Sequence, residues 1–297
     1  MKKVNWFYAC VSCAILSPSI VLAQPTQSID APPQQIVGRW DGIYKEAGIS
    51  TPVIFRFTST GKAIIVSATE EKQGLRGYWA NYTLNAKLQP MHLDFKFENS
   101  EEPLLTIVDV VNSQTNSQTN SQTLRLQLQS TEPTDKRPKR FKDALQLQKV
   151  SDTAIAPLTQ LPQAEQSEEG EGRFVMTTLA RSAILYRVEA DRFPTNLAQL
   201  GLNHSSTQNY RFELSAKGYQ LTLIARPKKA GLRSYIAVIS SEPSREQGTT
   251  QLGAVATICQ SFRPASIAPS MPKVSPRRSD KAYPIITCNS GSEPLLF

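Results

Sequence analysis

The spacing of the apolar residues changes once along this chain, and that change limits the folds that it can adopt. From Ile36 to Val150, apolar residues recur in short alternating runs separated by turn residues, without a helical period. A polar stretch containing prolines follows at 151–172, and after it apolar residues recur every three or four positions. The sequence therefore predicts an all-β region, a linker, and then a region that contains a helix.

Eight strand-like segments are predicted in the first region. In the fifth, Met91, Leu93 and Phe95 alternate with polar residues, which fixes the face that each side chain takes. Eight antiparallel strands are enough to close a small barrel and so remove the exposed sheet edges. We therefore predict a β-barrel domain over residues 36–150, with strands at 40–44, 53–57, 63–67, 78–84, 91–97, 104–110, 124–128 and 144–149.

A polar repeat lies between the sixth and seventh predicted strands. The tetrapeptide Asn-Ser-Gln-Thr begins at Asn112 and is repeated at Asn116 and Asn120. Such a tract has no apolar side chains to bury, so it is expected to form an unstructured surface loop.

The region after the linker combines one helix with several strands. The period of three and four residues predicts an amphipathic helix from Arg173 to Ala190. Thr195 is placed to cap a short second helix that ends before Gly201. The sequence thus predicts an α+β head over 173–297, with strands at 210–214, 219–225, 234–240 and 254–259. Because the linker at 151–172 offers few groups to couple them, the head and the barrel are expected to unfold independently.

The first residues have the features of an export signal. Two lysines precede a short apolar run, and small residues lead to Ala23, after which cleavage is predicted. The run is shorter than the roughly 20 residues that cross a bilayer core, which disfavours a membrane anchor. A lipid-modified Cys10 or Cys13 is the other alternative. We expect a signal peptide at 1–23, a tail at 24–35, and a location in the periplasm, at the cell surface or outside the cell.

Cleavage would leave two cysteines, Cys259 and Cys288. In an oxidising compartment two remaining thiols favour a disulfide, with two separate buried thiols as the alternative. The bond would close a loop rich in proline, and its expected role is structural.

Residue types needed for common catalytic sites are scarce. The two histidines, His92 and His204, belong to no zinc-binding motif, and neither a nucleophile elbow nor a phosphate-binding loop is found. An enzyme would need convergence of His92 with acidic residues, or a carboxylate pair such as Asp109 and Glu132. We predict no enzyme activity, no cofactor and no metal. The formal net charge of +8 is modest for 297 residues, so no nucleic-acid partner is expected. The densest basic run, at 136–142, is interpreted as a solvated loop, with a contact to a polyanion or a lipid headgroup as the alternative.

Gly38-Arg39-Trp40 at the start of the first strand resembles the Gly-x-Trp signature of the lipocalins, whose barrels also have eight strands. The resemblance implies that Gly38 and Trp40 are structural and that Trp40 closes one end of the barrel. It also implies a late arginine beside the tryptophan, for which Arg140 is the candidate. A lipocalin-like barrel further implies a second function, the carriage of a small apolar ligand, if its interior is hollow.

The region 173–297 resembles the globular head of type IV pilins and pseudopilins, and in particular the pilin-like G/H family. The resemblance is carried by the end of the helix and its exit at 186–195, by Leu197-x-x-Leu200-Gly201-Leu202, by the strand pair at 210–212 and 219–221, and by Ile258-Cys259 and Thr287-Cys288. In pilins such a cysteine pair closes the C-terminal loop. The short leader and the apolar N-terminal helix with which pilins polymerise are not recognised in the sequence, so polymerisation by that route is not expected. The resemblance therefore implies an exported, non-catalytic accessory or interaction protein of the cell envelope, with pilins, pilus-assembly components or surface polymers as partners.

Overall fold

The computed structural model describes residues 34–46, 49–69, 73–98, 100–115, 119–128, 137–158, 167–241, 253–275 and 284–297. The predicted signal peptide lies outside these residues. The strands are β1 (Gly38–Glu46), β2 (Ile49–Phe57), β3 (Lys62–Ala68), β4 (Leu75–Asn85), β5 (Met91–Lys96), β6 (Leu104–Thr115), β7 (Thr119–Gln127), β8 (Leu145–Ser151), β9 (Tyr210–Lys217), β10 (Gln220–Pro227), β11 (Tyr235–Ser240), β12 (Ala254–Ser261), β13 (Lys273–Ser275), β14 (Ile285–Thr287) and β15 (Ser292–Pro294). The helix α1 is Glu168–Ala190, and short 3-10 helices lie at Gln34–Ile36 and Ala198–Leu200.

The first eight strands form a closed up-and-down barrel, as the sequence predicts. Each strand pairs antiparallel with the next one, and β1 closes the barrel on β8, where Trp40 lies opposite Lys149. Alternation on β2 decides what each face contacts: Phe55 and Phe57 point into the barrel core, whereas Ile54 belongs to a second core outside the barrel.

The polar repeat is largely ordered, so the expectation of an unstructured loop is wrong for its described part. It extends the hairpin of β6 and β7, and Asn112 lies opposite Gln122. A hydrogen bond of 3.1 Å joins the amide groups of these two side chains. The backbone ladder does not require apolar side chains, which explains why a polar tract can continue these strands. Residues 116–118 lie outside the described part of the chain.

The helix α1 is longer than its apolar period predicts. It begins at Glu168, inside the predicted linker, because the hydroxyl of Ser167 caps it by accepting a hydrogen bond from the backbone N–H of Gly170 at 3.1 Å. Three acidic residues in the first turn favour this end of the helix dipole. The helix ends at Asp191, which adopts a left-handed conformation with φ of 55°.

The head consists of α1 and the strands that follow it, as predicted. Strands β9 to β12 form an antiparallel sheet in the order β9-β10-β11-β12, and β15 also pairs with β12. The predicted second helix is a 3-10 turn, Ala198–Leu200, and the side chain of Thr195 does not cap it. Gly201 ends this turn with a φ of 90°.

Barrel and head share one sheet through β4. Residues Leu75 to Gly77 pair with Ala254 to Ala256 of β12, and Asn81 to Asn85 of the same strand pair with β5 of the barrel. The thirteen-stranded sheet therefore runs from one region into the other.

The outer face of the barrel also supplies part of the core of the head. Ile54, Ile64, Val66 and Leu75 are buried in one cluster with the apolar face of α1. The sequence-based premise that only the linker couples the two regions is therefore wrong. The proposed domain limits, 36–150 for the barrel and 173–297 for the head, stay predictions.

Candidate functional site: the disulfide-closed segment of the head

The head sheet is covered on both faces. On β11, Ala237 and Ile239 face the cluster that contains α1. Ile236 and Val238 alternate with them and are equally buried, at 2% and 1% exposure. Both faces of a strand are buried only when something packs on each side, and the C-terminal segment contacts the face opposite α1.

The predicted disulfide joins this segment to the sheet. Cys259 lies buried on β12, and its bond to Cys288 brings the two Cα atoms within 5.7 Å. The hydroxyl of Ser234 donates to the carbonyl of Ile267 at 2.7 Å, which ties the first part of the enclosed segment to the sheet as well. The backbone N–H of Leu295 donates to the carbonyl of Ile258 at 2.8 Å. The segment is therefore held against the sheet at several points.

The same segment exposes large apolar side chains. Phe262, Ile267 and Met271 are 53%, 74% and 55% exposed, and all three lie between the two cysteines. We call this set the apolar loop. Contiguous exposed apolar patches are typical of protein interaction sites, whereas single exposed apolar residues are common on any surface. These three residues are singled out because the disulfide closes the segment that carries all of them. The apolar loop is therefore the candidate interaction site of the head. In the sequence these are three large apolar residues in a proline-rich stretch, and their spacing follows neither a helical nor a strand period.

Aromatic rings are packed inside the barrel. The ring of Phe57 lies 5.2 Å from that of Tyr82 and 6.2 Å from that of Phe95, measured between centroids. Phe55 also lies 6.2 Å from Phe95. Because β3 and β4 separate β2 from β5 along the wall, these contacts cross the interior. This packing does not favour the carriage of an apolar ligand.

Trp40 is fully buried near one end of the barrel. Its indole N–H donates to the carbonyl of Ile36 in the preceding 3-10 helix at 2.7 Å. The ammonium group of Lys149, on the last barrel strand, lies 5.7 Å from the ring centroid. Arg140, the expected cation, is an exposed residue, so that expectation is wrong. Gly38 has a φ of 135°, and a Cβ there would lie 2.7 Å from the carbonyl oxygen of Ser151, so both the conformation and the space require glycine.

Arginines line the junction of barrel and helix. Arg56 on β2 forms an ion pair with Glu189 of α1 at 3.0 Å. Arg39 on β1 lies opposite Arg56 and binds both carboxylate oxygens of Asp41 at 2.8 Å. Burial lowers the pKa of Arg181 on α1, and the carboxylate of Asp41 opposes that shift. The sequence signal for this junction is a charged residue within an otherwise apolar strand.

A second polar cluster fixes the start of α1. The buried carboxylate of Glu171 accepts hydrogen bonds from the backbone N–H of Asn209 at 3.1 Å and from its side-chain amide at 2.7 Å. Gly172 allows the ring of Tyr210 to pack closely, since a Cβ there would lie 2.5 Å from a ring carbon. Burial and, to a smaller extent, the charge of Glu169 raise the pKa of Tyr235 to about 12. These groups serve to dock the helix on its sheet.

No catalytic arrangement is found in the described residues. His92 lies on β5, and none of the described His, Cys, Asp and Glu side chains form a group of three that could hold a metal ion. Asp109 forms an ion pair with Arg125, and Glu132 lies outside the described residues. Arg137, in the basic run, binds Asp94 at 2.8 Å and so has a structural contact.

The region from Glu168 onwards is an α+β head. It consists of one long helix, an antiparallel sheet and a C-terminal segment that the disulfide closes. Residues 169–283 match the family model described as type IV pilin-like G and H, putative, which confirms the resemblance seen in the sequence. That match covers the head and not the barrel. No curated protein and no solved structure matches the chain. In the part of the chain that is described, no helix has the length and apolarity to cross a membrane.

Proposed function

We propose that this protein is a non-catalytic, exported accessory protein of the cell envelope that binds a pilus-related partner through its head. The observation that carries the proposal is the family match over residues 169–283. The head keeps the helix, the sheet and the disulfide, and it presents the apolar loop on the segment that the disulfide closes. The proposal gives three classes of partner: pilins, pilus-assembly components and surface polymers.

Export is part of the proposal. The disulfide between Cys259 and Cys288 supports it, because such bonds persist mainly in oxidising compartments. Fractionation of the native cells, with N-terminal sequencing of the recovered protein, tests it. We expect a mature chain that starts at or near Gln24 in the periplasm, on the cell surface or in the medium. An intact chain confined to the cytoplasm would contradict this.

Binding is tested by capture from the native cells. The purified mature protein serves as bait, beside a variant with Phe262, Ile267 and Met271 replaced by serine. A matched control replaces Ile43 and Val150, exposed apolar residues of the barrel at 54% and 44% exposure, by serine. We expect wild type and control to retain pilins, assembly components or surface polymers, and the apolar-loop variant to lose them. If the wild type, the control and the apolar-loop variant captured the same partners equally, the apolar loop would not be the binding site. If the wild type captured no pilin, no assembly component and no surface polymer, the proposed function would be refuted.

The carrier alternative predicts a bound apolar molecule in the purified protein. Native mass spectrometry before and after extraction with organic solvent would detect it. A stoichiometric apolar ligand that solvent extraction removes would favour the carrier over the interaction protein.

A further inference from the structure

One edge of the head sheet is open. β9 is the last strand of the sheet, and β10 pairs along one of its edges. On its other edge, the backbone of Ser205 accepts from the N–H of Phe212 at 2.7 Å, and the N–H of Thr207 donates to the carbonyl of Tyr210 at 2.9 Å. Among the described residues, no strand continues this pairing along 213–217. Such an edge can accept another strand.

The direction of the free backbone groups follows from these two hydrogen bonds. Tyr210 and Phe212 point their backbone groups to the outer edge, and backbone groups alternate between edges along a strand. Leu214 and Ala216 therefore point their N–H and C=O groups to the same outer edge. These two residues can exchange paired hydrogen bonds with an incoming antiparallel strand.

Around Ser215, the exposed side chains of one β9 strand complement those of a second, identical strand that is related to it by a two-fold axis. Glu213 and Lys217 lie two residues to either side of it and are both exposed, so antiparallel self-pairing brings opposite charges together twice. A pairing shifted out of this register would lose these matches.

Charge usually protects an edge against pairing. Here Glu213 already has a partner within the chain, Arg226, at 3.0 Å. Lys217 forms no ion pair with any described residue. Its ammonium group therefore remains available to a carboxylate on a second strand, and the Glu213 side chain, 47% exposed, is accessible to a second cation.

We propose that two copies of this chain form a dimer by pairing their β9 strands antiparallel about a two-fold axis at Ser215. Leu214 of one copy exchanges two backbone hydrogen bonds with Ala216 of the other, and the symmetry repeats the exchange. Glu213 of each copy faces Lys217 of the other. The interface is of the isologous kind, in which each copy contributes the same surface, and it joins the two head sheets into one.

Sedimentation equilibrium of the mature protein tests the proposal. Wild type is expected to dimerise reversibly. Lys217→Glu places like charges opposite each other twice and is expected to raise the dimer dissociation constant by about tenfold or more. Glu213→Lys should do the same, and an equimolar mixture of the two variants should recover a heterodimer, because each then supplies the charge that the other needs. Lys45→Glu, at an exposed site on the barrel, is the matched control.

A second variant tests the backbone pairing without changing charge. Ala216→Pro removes an N–H that points to the open edge, so it is expected to abolish dimers while circular dichroism and the melting temperature stay near wild type. A wild type that stays monomeric at all concentrations overturns the proposal. So do Lys217→Glu and Ala216→Pro variants that dimerise as wild type does.

Discussion

Arg56 of β2 and Glu189 of α1, 133 positions apart in the chain, form a two-point ion pair across the junction of barrel and head. Nη2 lies 3.0 Å from Oε1 and Nε lies 3.3 Å from Oε2. The remaining Nη1 donates to the carbonyl of Phe57 at 2.6 Å. The guanidinium group therefore fixes the last turn of the helix to the barrel wall.

This pair predicts a coupled loss of stability. Glu189→Gln leaves the guanidinium of Arg56, only 9% exposed, without its counter-charge, and is expected to lower the free energy of unfolding by about 1–3 kcal/mol. With Arg56→Met as the second change, urea unfolding gives a double-mutant cycle, and we expect a coupling of about 1 kcal/mol. The control is Lys229→Gln, at an exposed pair with Glu168, where the loss should stay under about 1 kcal/mol. A coupling of zero would contradict the structural role of the pair.

The close packing of Gly77 against α1 allows a test of how the helix docks on β4, the strand that the barrel and the head share. A Cβ at this position would lie 2.1 Å from Cγ2 of Ile184, a stiff branched side chain. Gly77→Ala is therefore expected to destabilise the protein by about 1–3 kcal/mol. Ile184→Ala alone should cost about 2–5 kcal/mol through the cavity that it leaves.

The combination of the two changes checks the geometry. The new methyl group at position 77 would enter the space vacated by Ile184, so the double variant should lose less than the sum of the single losses. Urea unfolding measures all three. Strict additivity would show that α1 does not pack at Gly77.

The shared core predicts that barrel and head unfold in one transition. Trp40 lies in the barrel core, whereas Trp79 packs against the core of the head. In the expected mature chain, which starts at Gln24, replacing each in turn by phenylalanine leaves one tryptophan as a fluorescence probe of one core. Within each variant we expect the denaturation curves followed by fluorescence and by circular dichroism to coincide. Separate midpoints for the two probes within one variant would instead favour the independent unfolding that the linker suggested.

Removal of the disulfide is expected to lower the stability of both the barrel core and the head core. Replacing Cys259 and Cys288 by serine is expected to lower the free energy of unfolding by about 2–5 kcal/mol. Since β12 carries Cys259 and also pairs with β4, the loss should appear at Trp40 as well as at Trp79. Mass spectrometry with thiol labelling checks the bond in the wild type. Free thiols in exported protein would refute it.

Tyr82 predicts a decline of stability at alkaline pH. Burial raises the pKa of Tyr82 to about 12, and its hydroxyl donates to the carbonyl of Thr58 at 2.7 Å. The unfolded chain releases this proton near its usual pKa of about 10, so its stabilising effect is complete below pH 10 and is lost as pH rises to about 12. Tyr82→Phe should cost about 1 kcal/mol at neutral pH and make the alkaline decline shallower. An unchanged slope in urea midpoints across this range would contradict it.

Short-range patterns account for most of what the sequence predicts correctly. The alternation in β5 and the three-and-four spacing in α1 each record which face is buried, and so the barrel and the helix are recognisable. The start of α1 was missed because Ser167 and the acidic residues after it act through capping and the helix dipole, which leave no apolar period. The dual pairing of β4 and the partner of Arg56 depend on residues far away in the chain. Periods within a single strand carry no information about such partners.

Because β4 pairs with strands of both the barrel and the head, the head depends on the barrel for part of its sheet and part of its core. A head expressed from residue 167 onwards would present β12 without the strand that pairs with Ala254 to Ala256, and α1 without Ile54, Ile64 and Val66 beneath it. Conversely, a chain nicked within 159–166 keeps both halves of that pairing. Two fragments produced separately, one with β4 and one with β12, would then be expected to reassemble through this pairing. Neither fragment alone would be expected to fold as an independent domain.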